Sequence, residues 1–231
     1  MPESNDTMPS DPALAGCKKF RWTLAQPTKD RIRNLIPRSL LNEFRLYQSC
    51  KDFGLMIYVR SRCSFALGPP RGLPRRRKPH SVLFVCFGNI MRSPMCEQLM
   101  QRAVGSIASP MRISSAGLNA VSGREAHPWA IAAAREFGIS LENHRAKLLT
   151  LEMVDNADLI LAMDFQNYTQ LVSRFPHSRR KIALLGTYGA SDSGGIDIRD
   201  PYYDDPEGTS RCFKRLATCI DNLLQDLTNG P

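Results

Sequence analysis

The stretch Val82-Leu83-Phe84-Val85-Cys86-Phe87-Gly88-Asn89-Ile90-Met91-Arg92-Ser93-Pro94 decides how the chain is read. Its first four residues are apolar, β-branched or aromatic at every position, the pattern of a short strand covered on both faces. Pro94 opens a segment of helical composition that runs to Ala103 and is closed by Gly105. Between strand and helix stand Gly88 and Asn89, which tolerate left-handed backbone. Such a loop turns successive N–H groups onto a tetrahedral oxyanion, and the helix N-terminus adds partial positive charge at the same point.

Outward from this loop, strand-like and helix-like segments alternate. Ile113–Ala116, Leu159–Met163 and Ile182–Leu185 read as further buried strands; Pro128–Phe137, Phe165–Phe175 and Phe213–Leu227 read as helices. That alternation predicts an α/β fold with a parallel sheet covered on both faces. Upstream, Leu67 to Pro79 is a Pro/Arg-rich run without periodicity. The chain therefore divides into a basic extension, 1–66, partly helical or disordered, a linker, 67–80, and a folded domain, 81–231. Residues 1–80 carry 16 Lys+Arg against 6 Asp+Glu, the remainder 15 against 16. The pI near 9.4 thus describes the extension and argues for no nucleic-acid surface on the domain. Leu40, Leu41, Phe44 and Tyr47 at helical spacing suit either a basic amphipathic helix with weak contact to an anionic surface or a solvated arm. A mis-called start codon is a further reading of that extension.

The apolar stretch Leu55–Val59, like every other in the sequence, is far short of the roughly 20 residues of a membrane span. The start, MPESNDTMPSDP, is polar and acidic, unlike a secretory signal. The seven cysteines (17, 50, 63, 86, 96, 212, 219) are odd in number and lack CxxC or zinc-type spacing. A reducing cytoplasm and no metal cofactor are expected.

A cysteine near an arginine is weak evidence by itself: 23 arginines in 231 residues give about one accidental match among seven cysteines. Cys96 to Arg102 is such a pair, inside a helix. Cys86 differs in its setting. Helix N-terminus, inward N–H groups and Arg92 predict a lowered thiol pKa and a thiolate at neutral pH. Arg92 can grip two phosphate oxygens in a fork, and Ser93 is placed to hydrogen-bond the sulfur. The alternative is a structural cysteine ending a buried strand.

Val82 to Pro94 resembles the phosphate-binding loop of the low-molecular-weight protein tyrosine phosphatases. Ser115-Ala116-Gly117, the Gly123–Ala126 turn, His144-Arg145-Ala146, Ala157-Asp158-Leu159-Ile160 and Asp200-Pro201-Tyr202-Tyr203 recur in that family in the same order. The similarity spans about residues 81 to 227 and leaves 1–80 unmatched. Leu118 after Ser115-Ala116-Gly117 resembles the bacterial branch.

The resemblance implies a flavodoxin-like, doubly wound, four-stranded parallel sheet with helices on both faces, and the anion site at the carboxyl end of the first strand. It implies hydrolysis of phosphotyrosine through a phosphocysteine on Cys86, without cofactor. Arg92 is implied as the phosphate clamp and Asp200 as the general acid; by spacing alone Asp197, Asp204 and Asp205 are its rivals. Phe87, Gly88, Asn89, Ile90, Met91 and Ser93 form the implied phosphate-binding loop, and Tyr202 and Tyr203 line the mouth. Asn89 fixes the loop through its side chain. Ser115 and His144 are supports by family analogy, and each also suits a purely structural place. The implied partner is a phosphotyrosine protein; members of the bacterial branch often act on tyrosine kinases of polysaccharide export.

Met91 departs from the pattern, since many members carry a second cysteine there, able to trap an oxidised nucleophile as a disulfide. Two other functions are weighed against the phosphatase. An arsenate reductase of the same fold needs further cysteines for disulfide exchange, and residues 164–175 contain none. A silent phosphate-binding module would be expected had Cys86, Arg92 or Asp200 been replaced.

Overall fold

In the computed structural model, residues 50–64, 78–105, 111–189 and 195–229 are described. The helix anticipated around Leu40 to Tyr47 and most of the linker lie outside them. All six residues of β1 (Ser81–Cys86) are buried, as a strand covered on both faces must be. Its side chains divide by the two-residue period. Val82, Phe84 and Cys86 enter one apolar cluster, Leu83 and Val85 the other. β3 (Leu159–Ala162) repeats the division, with Leu159 and Leu161 on the first side, Ile160 and Ala162 on the second.

With β2 (Arg112–Gly117) and β4 (Ile182–Leu184), these strands form one parallel sheet in the order β2-β1-β3-β4. Cys86 pairs with Gly117, and Val85 with Ala162, so the carboxyl ends of the three strands are level. The first face is covered by α2 (Arg92–Gly105), α3 (Pro128–Arg135) and α6 (Pro206–Asn229). On the second lie α1 (Cys50–Ser64), α4 (Leu151–Asn156) and α5 (Phe165–Arg174). This is the flavodoxin-like α/β architecture. No described helix is long and apolar enough to cross a membrane.

Two helices begin before the sequence places them, and two are new. α6 starts at Pro206, seven residues ahead of Phe213, because its first turn is capped rather than apolar. Asp205 Oδ1 accepts from the Gly208 N–H at 2.5 Å. α2 starts at Arg92 rather than Pro94. α4 has six residues and is set by Thr150, whose Oγ1 accepts from Met153 N–H at 3.2 Å. α1 falls inside the stretch the sequence assigns to the extension, yet Val59 is fully buried in the second cluster with Leu55 beside it.

Two close approaches bring distant segments to the end of β1. A Cβ on Gly117 would stand 2.8 Å from both Asn89 N and Phe87 O, so glycine lets the loop after β1 lie flat on the end of β2. A Cβ on Gly186 would overlap the Ile196 carbonyl, so glycine admits the segment that leads to Ile198 and Asp200.

Candidate active site

Cys86 ends β1, 3 % exposed, and the chain turns over it. Asn89 makes the turn with φ 53°, the one non-glycine positive φ among the described residues. Its N–H donates to Cys86 Sγ at 3.2 Å. Its side chain then fixes the turn from three sides. Nδ2 donates to Ser93 Oγ at 2.8 Å and Ser115 Oγ at 2.9 Å, and Oδ1 accepts from Lys147 N–H at 2.8 Å.

Ser93 Oγ accepts from Asn89, and its own hydrogen has two acceptors within reach, Cys86 Sγ at 3.0 Å and the more distant Ala116 O at 3.4 Å. Ser115 in the same way passes its hydrogen to Glu97 Oε2 on α2. A buried chain of donors thus runs from Asn89 in two directions, one ending on the sulfur and one on a carboxylate. His144 Nε2 lies 2.7 Å from Asn89 O. Burial lowers the pKa of His144, although its bond to Asn89 opposes the shift, so the neutral imidazole is favoured. The segment that carries His144 is held by the turn before α3, through Gly123 N–H to Ala146 O and Ala146 N–H to Arg124 O, each 2.8 Å.

Arg92, 1 % exposed, opens α2 and is clamped by the far side of the sheet. Its Nη1 donates to Asp164 Oδ2 at 2.6 Å and to Ile198 O at 2.8 Å, and its Nη2 to Asp200 Oδ2. Burial works against the cation, but Asp164 and Asp200 more than offset it and hold the guanidinium charged. Nε is buried without a hydrogen-bond partner. Asp200 caps a short 3-10 turn, Pro201–Tyr203, with Oδ1 accepting from Tyr202 N–H at 3.3 Å.

The structure thus gathers Cys86, Asn89, Arg92, Ser93, Ser115, His144 and Asp200 from four separate segments. Of the rivals of Asp200, Asp197 instead accepts from Phe165 N–H at 2.8 Å, and Asp205 caps α6. Phe87 is 42 % exposed at the rim of the loop, whereas Ile90 and Met91 point into the first core cluster. Tyr202 and Tyr203 pack edge to face, 4.9 Å between centroids, with Tyr203 projecting outward. Two members were missed by sequence reasoning, Asp164 and Glu97. Asp164 directly follows Met163 at the end of β3, and that position, level with the Cys86 loop, was the available signal. Glu97 is one carboxylate in a helix of mixed composition and gave none.

One expectation is corrected. The thiol pKa is raised, not lowered: full burial pushes it up, Arg92 pulls it down, Asp200 pushes it up again, and Ser93 pulls it down. The sequence shows the cation but neither the full burial of the sulfur, which is the larger effect, nor the Asp200 carboxylate brought beside it.

Comparison with known proteins agrees with this geometry. A family model described as low molecular weight phosphotyrosine protein phosphatase matches residues 81–230. The chain is 37 % identical over 148 residues to the low molecular weight protein-tyrosine-phosphatase Wzb of Escherichia coli K12, covering 64 % of this chain and 95 % of that one. It is 34 % identical over 146 residues to a protein-arginine-phosphatase of Bacillus subtilis, covering 63 % of this chain and 93 % of the other. Among solved structures, the Erwinia amylovora tyrosine phosphatase AmsI superposes with a TM-score of 0.60 at 31 % identity, over 66 % of this chain and 96 % of that one.

Proposed function

We propose a mechanism for a chain that belongs to the low molecular weight phosphotyrosine protein phosphatase family and is thereby a protein-tyrosine phosphatase, a hydrolase of phosphoric monoesters. Cys86 is the nucleophile. As phosphate displaces Asp200 from Arg92, the Cys86 thiol gives up its proton and Asp200 takes one up; the thiolate then attacks phosphorus, the S–P bond forms as the P–O bond to the aryl group breaks, and Asp200 gives its proton to the departing phenolate oxygen. Asp200, now a carboxylate, takes a proton from water as that water's oxygen bonds to phosphorus. The S–P bond breaks, its electron pair returns to Cys86, and inorganic phosphate leaves.

The observation that carries this reading is Arg92, buried beside the thiol with Nε unpartnered and its outer nitrogen on Asp200. A dianionic phosphate is the ligand that competes for such a guanidinium, and its arrival releases Asp200 from Arg92 toward the leaving group. Ser93, 3.0 Å from the sulfur, stabilises the thiolate as nucleophile and leaving group. The Gly88–Met91 backbone and Ser93 complete the phosphate cradle, and Phe87, Tyr202 and Tyr203 offer ring surface to a flat phenol.

Disulfide exchange of the arsenate-reductase kind is disfavoured by the other thiols among the described residues. Burial raises Cys96, and pushes Cys212 up to about 12 and Cys219 to about 11. The natural substrate is a phosphotyrosine protein, and a tyrosine kinase of polysaccharide export is the partner suggested by the bacterial branch. A cytoplasmic setting, which keeps thiols reduced, suits Cys86.

Turnover of a phosphotyrosine peptide, a phosphoarginine peptide and arsenate, side by side, tests the reading. Phosphotyrosine hydrolysis is expected to dominate, to vanish in Cys86→Ser, and to fall roughly 10²–10³-fold in Asp200→Asn. Faster hydrolysis of phosphoarginine, or arsenate reduction, would replace the substrate; full activity in Cys86→Ser would remove the nucleophile.

A further inference from the structure

Beyond the Ile198 carbonyl, which accepts from Arg92 Nη1 at 2.8 Å, the segment that carries Asp200 is tied toward the phosphate-binding loop at two points. One is the Asp200 carboxylate on Arg92. The other is the ring of Tyr202, which meets the ring of His127 at 5.4 Å between centroids and 67° between planes. His127 is itself fixed to the phosphate-binding loop, because its N–H donates to Ile90 O at 2.9 Å. Trp129 braces the imidazole from another side, 5.0 Å between centroids at 67°. Its Nδ1 accepts from Trp129 N–H at 3.2 Å and caps α3.

The first of these contacts cannot survive the reaction. Substrate phosphate takes the guanidinium, and an acid that must donate its proton to a phenolate cannot remain a carboxylate on Arg92. What then fixes Asp200 laterally is the turn it caps, Pro201–Tyr203, whose Tyr202 ring rests on His127. Pro201 is buried, which anchors the far side of the turn.

We propose that His127 is a positioning residue for the general acid, its imidazole serving as the stop against which Tyr202 holds Asp200 over the leaving-group oxygen once phosphate occupies Arg92. The inference rests on Asp200 being the acid. Burial and then Arg124 lower the pKa of His127, so at neutral pH the imidazole meets the Tyr202 ring without charge and packing alone can hold the contact.

The two roles of His127, ring and cap, are separable. His127→Asn keeps an oxygen able to cap α3 and loses the ring; His127→Phe keeps a ring and loses the cap acceptor. The readout is kcat/KM for p-nitrophenyl phosphate divided by that for phenyl phosphate, since the poorer phenolate leaving group depends more on proton donation. Inhibition by inorganic phosphate in every variant reports an intact phosphate loop.

His127→Asn is expected to raise the ratio about tenfold with phosphate inhibition within twofold of wild type, and His127→Phe to restore the ratio. In an Asp200→Asn background, His127→Asn should change the ratio no further, because the acid it positions is gone. An unchanged ratio in His127→Asn overturns the proposal, as does an equal rise in both His127 variants or full additivity with Asp200→Asn. If Asp200→Asn alone leaves the ratio unaltered, the assignment of the acid falls first and this inference falls with it.

Discussion

Cys86 lies between opposed fields, with Arg92 and the Ser93 hydroxyl favouring its thiolate, and burial and Asp200 favouring the thiol. Replacing Asp200 by Asn removes one negative charge and leaves the rest, so the thiol pKa must fall. The pH midpoint for alkylation of Cys86 by iodoacetamide is expected to lie lower in Asp200→Asn than in wild type; a midpoint that stays or rises contradicts the arrangement. Met91, 2 % exposed, cannot form the disulfide that a cysteine would. Peroxide is therefore expected to inactivate the protein with poor recovery on adding thiol, and full recovery with Cys86 joined to Cys96 in the mass spectrum would count against this. The residues of the loop were legible because Cys86, Asn89, Arg92 and Ser93 are contiguous and their spacing carries their chemistry. Asp164 was not, since it is brought to Arg92 from 72 positions away by strand register alone.

At the scale of elements, β1 was legible as a run apolar on both faces, and β3 and β4 ended within a residue of expectation for the same reason. α4 and the first turn of α6 were not, because they are set by caps on Thr150 and Asp205 rather than by apolar periodicity. The juncture of β2 with the phosphate-binding loop depends on an absent side chain. Gly117→Ala would press a methyl group against the Asn89 and Phe87 backbone, at an expected cost of roughly 1–3 kcal/mol. Urea denaturation together with phosphate inhibition checks it, and both midpoint and affinity should fall. The ion pair between α2 and the end of β3 makes a parallel demand. Asp164→Ala leaves Arg92 buried without one of its two carboxylates, and roughly 3 kcal/mol of stability should be lost.

For the molecule as a whole, the parallel α/β class followed from alternation and the four-stranded flavodoxin-like sheet from the family resemblance, whereas the strand order β2-β1-β3-β4 is read from the structure. The covering of the second face by α1 was hidden. Met56 and Val59 are buried while Ile57 and Tyr58 face outward, so its apolar residues surround the helix and give no one-sided stripe. Because α1 closes the second cluster, Val59→Asp should destabilise the protein by roughly 2–4 kcal/mol, and Ile57→Asp by about 0.5 kcal/mol or less. Equal urea midpoints for the two variants would mean that α1 does not cover the sheet in solution. The basic excess of residues 1–80 leaves the domain near neutrality, so the attraction for phosphate resides in Arg92 and the N-terminus of α2 rather than in a general positive field.

The most direct test of the central claim is rapid acid quench of the wild-type protein with p-nitrophenyl phosphate, followed by peptide mass mapping. One phosphoryl group on Cys86, formed within the nitrophenol burst and absent when Ser replaces Cys86 in turnover assays, is the expected result. A burst with Cys86 unmodified, or the phosphoryl group on another residue, would contradict it.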